Sequence, residues 1–146
     1  MIVFSAVDYN ANAEIIGQAA QRGIKIVVID SDVNSSMVSC RIGTNNLQAG
    51  VKAAEAALAV GEDELYIGIV NYDVNSANGQ QRELGFRQTV EQDPRVKDIT
   101  TINVLSTTED ARAGTKEMLL SDSRINVVVT FNEWTSLGVA GQGKTA

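Results

Sequence analysis

Lys25-Ile26-Val27-Val28-Ile29-Asp30-Ser31 is the stretch around which the chain is read. Four consecutive β-branched apolar residues run straight into Asp30, Ser31 and Asp32. A strand buried on both faces of a parallel sheet has this composition, and the abrupt change to polar residues marks its carboxyl end. Ligands of open α/β sheets bind outside the carboxyl ends of the strands, so Asp30 is placed to accept hydrogen bonds from a small polar molecule. An Asp at this point would equally open a turn or cap a following segment, and both readings stand.

The strand belongs to a repeating pattern. Met1 to Ala6 reads as a short strand with Ile2, Val3 and Phe4 buried, and residues 11–22 as a helix carrying Ile15, Ile16, Ala19 and Ala20 on its apolar side. Gly23 stops that helix, and residues 24–29 complete a βαβ unit. Val38 to Ile42 alternates as a further strand in which Cys40 is a small core residue. An Ala-rich helix follows over residues 47–60, with Leu47, Val51, Ala54 and Leu58 on one face.

A second series begins at Leu65. Residues 66–70 form a buried strand ending at Asn71, Tyr72 and Asp73, and Asn75 to Gly79 read as a polar turn. A helix over residues 80–92 is stopped by Asp93-Pro94. Residues 99–105 are a strand, and residues 109–120 a helix capped by Thr107 or Thr108. Residues 125–131 are the most strand-like run, with Asn132-Glu133 at its end and a helix opening at Trp134. Strands alternating with amphipathic helices specify an α/β fold, read here as a three-layer α/β/α arrangement with a mainly parallel sheet. Asp30, Asn71 and Asn132 close the long buried strands, and such ends share one edge of a parallel sheet, where they would line a common crevice.

Composition narrows the chemistry. The chain has 146 residues and a formal charge of −6, with no clustered Lys and Arg, so a nucleic-acid surface is not expected. The absence of histidine excludes Ser-His and Cys-His nucleophiles, and the single cysteine excludes an intrachain disulfide. No nucleophile with its base and no metal cluster can be assembled, so neither catalysis nor a cofactor or metal is expected. Gly141-Gln142-Gly143-Lys144-Thr145 lacks the spacing of a phosphate-binding loop. Met1 leads directly into Ile2-Val3-Phe4, so no signal peptide is read. Acceptors such as Asp30, with an amide such as Asn132 and an Arg or Gln near a helix start, suit the hydroxyls of a sugar or polyol.

Residues 1–8 and 23–32 resemble the type I periplasmic binding proteins of the ribose and galactose group. Ile42-Gly43-Thr44-Asn45-Asn46-Leu47-Gln48-Ala49-Gly50 is similar to the segment where that family crosses between its lobes. Gln80-Gln81-Arg82-Glu83-Leu84-Gly85-Phe86 and residues 129–138 resemble its second-lobe helix and strand-end motifs. The resemblance implies that Asp30 and Asn132 bond sugar hydroxyls, with Ser31, Gln80, Arg82 and Glu133 beside them. In ribose binders the Gln80 position is an arginine and the Ser31 position often one, so the pattern departs from ribose recognition. The resemblance further implies a first-lobe remnant over residues 1–43 and most of a second lobe over 44–146, together about half of a full member.

By the same resemblance the protein is a solute-binding component that captures a sugar in an inter-lobe cleft, is extracytoplasmic, and serves a membrane permease or a sensor kinase. The alternative is the effector-binding core of a lactose-repressor-type regulator. A fragment of this kind is expected to bind sugars poorly or not at all by itself and to self-associate through uncovered edges. Arg82 either meets the ligand or pairs with an acid on its own helix, and Trp134 lines the crevice or packs in the core. Tyr72 and Asp73 are read equally as loop or ligand contacts.

Overall fold

A computed structural model describes residues 1–141. The elements run β1 (Ile2–Phe4), α1 (Ala13–Gln21), β2 (Ile26–Ile29), β3 (Cys40–Ile42), α2 (Asn46–Leu58), β4 (Leu65–Tyr72), α3 (Ala77–Val90), β5 (Val96–Val104), α4 (Thr108–Ser121), β6 (Val127–Thr130) and α5 (Glu133–Ala140). They form two three-stranded sheets, ordered β1-β2-β3 and β5-β4-β6, and every pairing is parallel. The α/β reading holds. The glycine-rich end over residues 142–146 lies outside the described residues.

The second sheet carries helices on both faces, and β4 shows why. Leu65, Ile67 and Ile69 point to one side, where Ala54 and Ala57 of α2 and Phe86 and Val90 of α3 complete a core. Val70 points to the other, against Ala111 and Met118 of α4 and Val139 of α5. Phe86 and Phe131 meet edge to face at 5.8 Å between ring centroids, a favoured aromatic geometry. A strand buried on both sides cannot alternate, which is why β4 reads as a continuous apolar run.

The first sheet is covered on one face only among the described residues. Ile26 and Val28 are buried under α1 together with Ile16, while Val3 (55% exposed) and Ile42 (61% exposed) lie on the opposite, bare face. The register puts Cys40 beside Val27 on that bare face, and it is exposed rather than part of the core. Alternation over residues 38–42 correctly indicates a strand but does not say which of its faces is covered, and the covered face is that of Arg41. Arg41 Nε is anchored to Asp32 Oδ1 at 2.9 Å.

Two helices differ from the sequence reading in an instructive way. α2 buries Asn46, Gly50, Ala54 and Ala57, whereas Leu47 is exposed. The large apolar residues therefore do not mark its contact face, because α2 and α3 approach so closely that only small residues fit between them. A methyl group on Gly50 would stand 2.0 Å from the Arg82 carbonyl oxygen, and one on Gly85 2.1 Å from that of Leu47. α3 begins at Ala77 rather than Gln80, taking Asn78 and Gly79 into its first turn. There the amide side chain of Asn78 is bonded on both sides, and tertiary contacts outweigh the weak helix propensity of Asn and Gly.

Candidate functional site

β2 and β4 both end in an aspartate with left-handed backbone, Asp30 at φ 57° and Asp73 at φ 38°. Asp tolerates this conformation better than most residues because its short polar side chain can bond locally, yet the geometry still costs on the order of 1 kcal/mol at each position. Both residues line the same crevice. It has a volume of about 340 Å³, with Ser5, Ala6, Asp30 and Ser31 from the first sheet on one side. The second sheet and its helices contribute Tyr72, Asp73, Asn78, Arg82, Ser106, Asn132, Glu133 and Trp134. Strand ends from two separate sheets thus converge, as the sequence pattern implies.

A polar relay supports the acid. Arg82 Nε donates to Asn46 Oδ1 at 2.8 Å, Asn46 Nδ2 to Asn78 Oδ1 at 2.9 Å, and Asn78 Nδ2 to Asp30 Oδ1 at 3.3 Å. Arg82 Nη1 also donates to the Phe131 carbonyl oxygen at the end of β6. Arg82 is therefore tied to an amide and a carbonyl in these bonds, not to an acid on its own helix. Neither Asn46 nor Asn78 is legible as a site residue in the sequence, since Asn46 reads as part of a polar loop and Asn78 as part of a turn.

Asn132 caps α5. Its Oδ1 accepts from Thr135 N at 2.9 Å while its Nδ2 donates to Ser106 Oγ at 2.7 Å, so the side chain is fixed at the rim of the crevice. Asn71 does not join the crevice. It is fully buried, its Oδ1 accepts from Tyr72 N, and its Nδ2 donates to Gly79 O and to Glu83 Oε2. Strand direction explains the difference, because Asn71 shares the side of β4 that faces α3. Gln80 is exposed on α3 and is not part of the crevice lining.

Ser31 is 6% exposed and its Oγ has no hydrogen-bond partner among the described residues. A buried hydroxyl left unpaired costs about 1–3 kcal/mol. Burial pushes the Tyr72 phenol above its ordinary value, so at neutral pH it is a protonated neighbour of the crevice. Three carboxylates line the crevice, Asp30, Asp73 and Glu133, against the single guanidinium of Arg82. A larger cavity of about 930 Å³ runs along the flank of β5 and α4, lined by Thr100, Ile102, Gly114 and Met118 among others. It does not reach Asp30, Ser31 or Asn132. Among the described residues no group of three or more His, Cys, Asp or Glu is placed to hold a metal, and no helix is long and apolar enough to cross a membrane.

The model of the periplasmic binding protein domain matches residues 1–142. The chain belongs to this family. A periplasmic binding protein domain is a binding protein rather than an enzyme. Its fold is shared with the periplasmic component of an ABC-type sugar transport system from Hahella chejuensis, at a TM-score of 0.93 and 23% identity over 98% of this chain and 52% of that one. A carbohydrate transporter solute-binding protein from Agrobacterium radiobacter, in complex with D-arabinose, superposes at 0.90 and 22% identity over 98% of this chain and 51% of that one. The fructose-binding periplasmic domain of a hybrid two-component system gives 0.93 at 20% identity, over 99% of this chain and 48% of the other. This domain thus spans about half the length of the structures it matches. No curated protein sequence matches it.

Proposed function

We propose that this chain contributes the facing walls of a sugar site, with residues 1–43 and 44–146 as parts of two lobes and Asp30, Ser31, Arg82, Asn132 and Glu133 at the ligand. The observation that carries the reading is the convergence of strand ends from both sheets on one 340 Å³ crevice. That volume lies at the low end of the range for small-molecule sites, consistent with a monosaccharide-sized ligand. The family supports an extracytoplasmic solute-binding role, and the sugar-binding proteins among the structural neighbours support a carbohydrate as the solute. In this reading the assembled protein delivers its ligand to a membrane permease or a sensor kinase. Gln80, exposed on α3, is proposed to meet only ligands that extend beyond the crevice.

The ligand is an uncharged sugar. Three carboxylates repel a phosphate or uronate, and the one guanidinium that would attract it already donates to Asn46 and Phe131, whereas hydroxyls can donate to the acids. Calorimetric titration of the chain with neutral pentoses and hexoses, and with their phosphorylated or uronic forms, tests this. Heat is expected with at least one neutral sugar and none with its anionic counterparts. Preferential binding of the anionic forms, or no heat with any sugar at tens of millimolar, would contradict it.

A further inference from the structure

Asn46 is a buried amide that does not line the crevice, yet it bonds two residues that do. It stands first in α2, where the local task of capping belongs to its neighbour Asn45, whose Oδ1 accepts from Gln48 N at 3.1 Å. The Asn46 side chain reaches across to α3 instead, and it lines a second cavity, of about 240 Å³, that shares Asp30 and Asn78 with the crevice. Chemistry fixes its orientation. A guanidinium only donates, so the atom that Arg82 Nε meets at 2.8 Å is the Asn46 carbonyl oxygen. That turns Asn46 Nδ2 to the Asn78 carbonyl oxygen at 2.9 Å, and Asn78 is left with its Nδ2 for Asp30, at 3.3 Å. An ionised carboxylate only accepts, so a donor at one end and an acceptor at the other permit a single direction in which all three bonds form.

We propose that Asn46 is a positioning residue of the crevice: it passes the donor direction of Arg82 to Asn78, so that Asn78 turns an N–H and not a carbonyl oxygen toward Asp30. The acid is thereby anchored through Oδ1, which leaves Oδ2 for a hydroxyl of the ligand. Affinity then depends on a side chain that the ligand does not touch. The sugar reading above supplies only the ligand, whereas the direction of the relay is a property of the chain itself.

Asn46→Asp keeps the size of the side chain and its acceptor for Arg82, but it no longer donates. Asn78 then turns its N–H toward position 46, and its carbonyl oxygen is left facing the carboxylate of Asp30. Asp30→Asn relieves that conflict, because an amide can donate back to the Asn78 oxygen and the relay runs in reverse. Asp30→Gly accepts φ 57° and removes the acid but donates nothing, so it controls for plain charge repulsion between positions 30 and 46.

The three single variants and the two doubles are compared with the wild-type chain by denaturant melts and by calorimetric titration with D-glucose, D-galactose, D-xylose and D-ribose. Asn46→Asp is expected to weaken the sugar that the wild type binds about tenfold, and by less than about threefold when added to Asp30→Asn. In the melts, the double with Asp30→Asn is expected to lie above the sum of its single shifts by a wider margin than the double with Asp30→Gly. If Asn46→Asp alone does not fold, Asp30→Asn is expected to restore folding and Asp30→Gly is not. Wild-type sugar affinity in Asn46→Asp, additive shifts in the double with Asp30→Asn, or equal recovery with Asp30→Asn and Asp30→Gly overturns the relay and leaves the sugar reading intact. Absence of heat with every sugar contradicts the sugar reading, and the melts then decide the relay by themselves.

Discussion

At the level of single residues, the proposed site has at its centre an acid held in a conformation that few residues accept. Asp30 has φ 57° and receives a hydrogen bond from Asn78, which is itself bonded to Asn46 and through it to Arg82. Asn adopts the left-handed region as readily as Asp, so Asp30→Asn removes the charge while leaving the backbone content. A hydrogen bond to a charged acceptor contributes about 1.5–3 kcal/mol, so the variant is expected to bind sugar roughly 10- to 100-fold more weakly by calorimetry. Unchanged affinity would remove Asp30 from the site. The strand-end position of Asp30 was legible because it follows a run of four β-branched residues, although the same pattern reads equally as the start of a turn. Asp73 was less so, because its left-handed backbone leaves no mark on the sequence. Asn71 shows the opposite limit, a strand-end amide in the same sequence context whose side chain turns to α3 and bonds Glu83 at 2.8 Å.

At the level of elements, the pairing of α2 with α3 holds the relay in place. A methyl group at Gly85 would stand 2.1 Å from the Leu47 carbonyl oxygen, a backbone atom that cannot step aside without moving its helix. Gly85→Ala is expected to destabilise the chain by about 3 kcal/mol, lowering Tm by roughly 10 °C in a thermal melt. Gly17→Ala in α1, where nothing lies within 4 Å, is expected to stabilise slightly, by about 0.5 kcal/mol or more. Equal effects at the two positions would contradict the close helix crossing. The positions of the strands and helices follow from buried runs and helical spacing. The face that α2 buries does not, because the contact selects Gly50 and Ala54 over Leu47 on grounds of size, which hydrophobicity does not encode.

Glu83 fastens the same helix to β5. Its carboxylate accepts from Arg87 Nε at 2.9 Å, from Thr101 Oγ1 at 2.7 Å and from Asn71 Nδ2 at 2.8 Å. Burial raises its pKa, but these hydrogen bonds, with that from Arg87 largest, outweigh burial and hold it below its ordinary 4.5. A carboxylate whose folded value is depressed contributes stability that is fully present above pH 4.5 and is lost as pH falls through the folded value. Glu83→Gln is therefore expected to cost about 2 kcal/mol at neutral pH and to lose less further stability than the wild type on acidification below pH 4.5. Denaturant melts from pH 7 to pH 3 measure the difference, and parallel curves for the two proteins would show that the network does not bear on stability.

For the whole molecule, the central claim is that two sheets meet at one ligand crevice. The family match covers residues 1–142, and the arrangement of parallel strands makes the convergence of their carboxyl ends a consequence of topology rather than of any one motif. The bare face of the first sheet, with Val3, Cys40 and Ile42 exposed, was not legible, because strand alternation is silent about what lies over each face. Competing with the crevice is the larger cavity beside β5 and α4. Chemical-shift mapping of the isotopically labelled chain with a neutral sugar at saturating concentration separates the two. Shifts are predicted at Asp30, Ser31 and Asn132 through Trp134, on both sheets at once. Shifts confined to Thr100, Ile102, Gly114 and Met118, or to one sheet alone, would contradict the account.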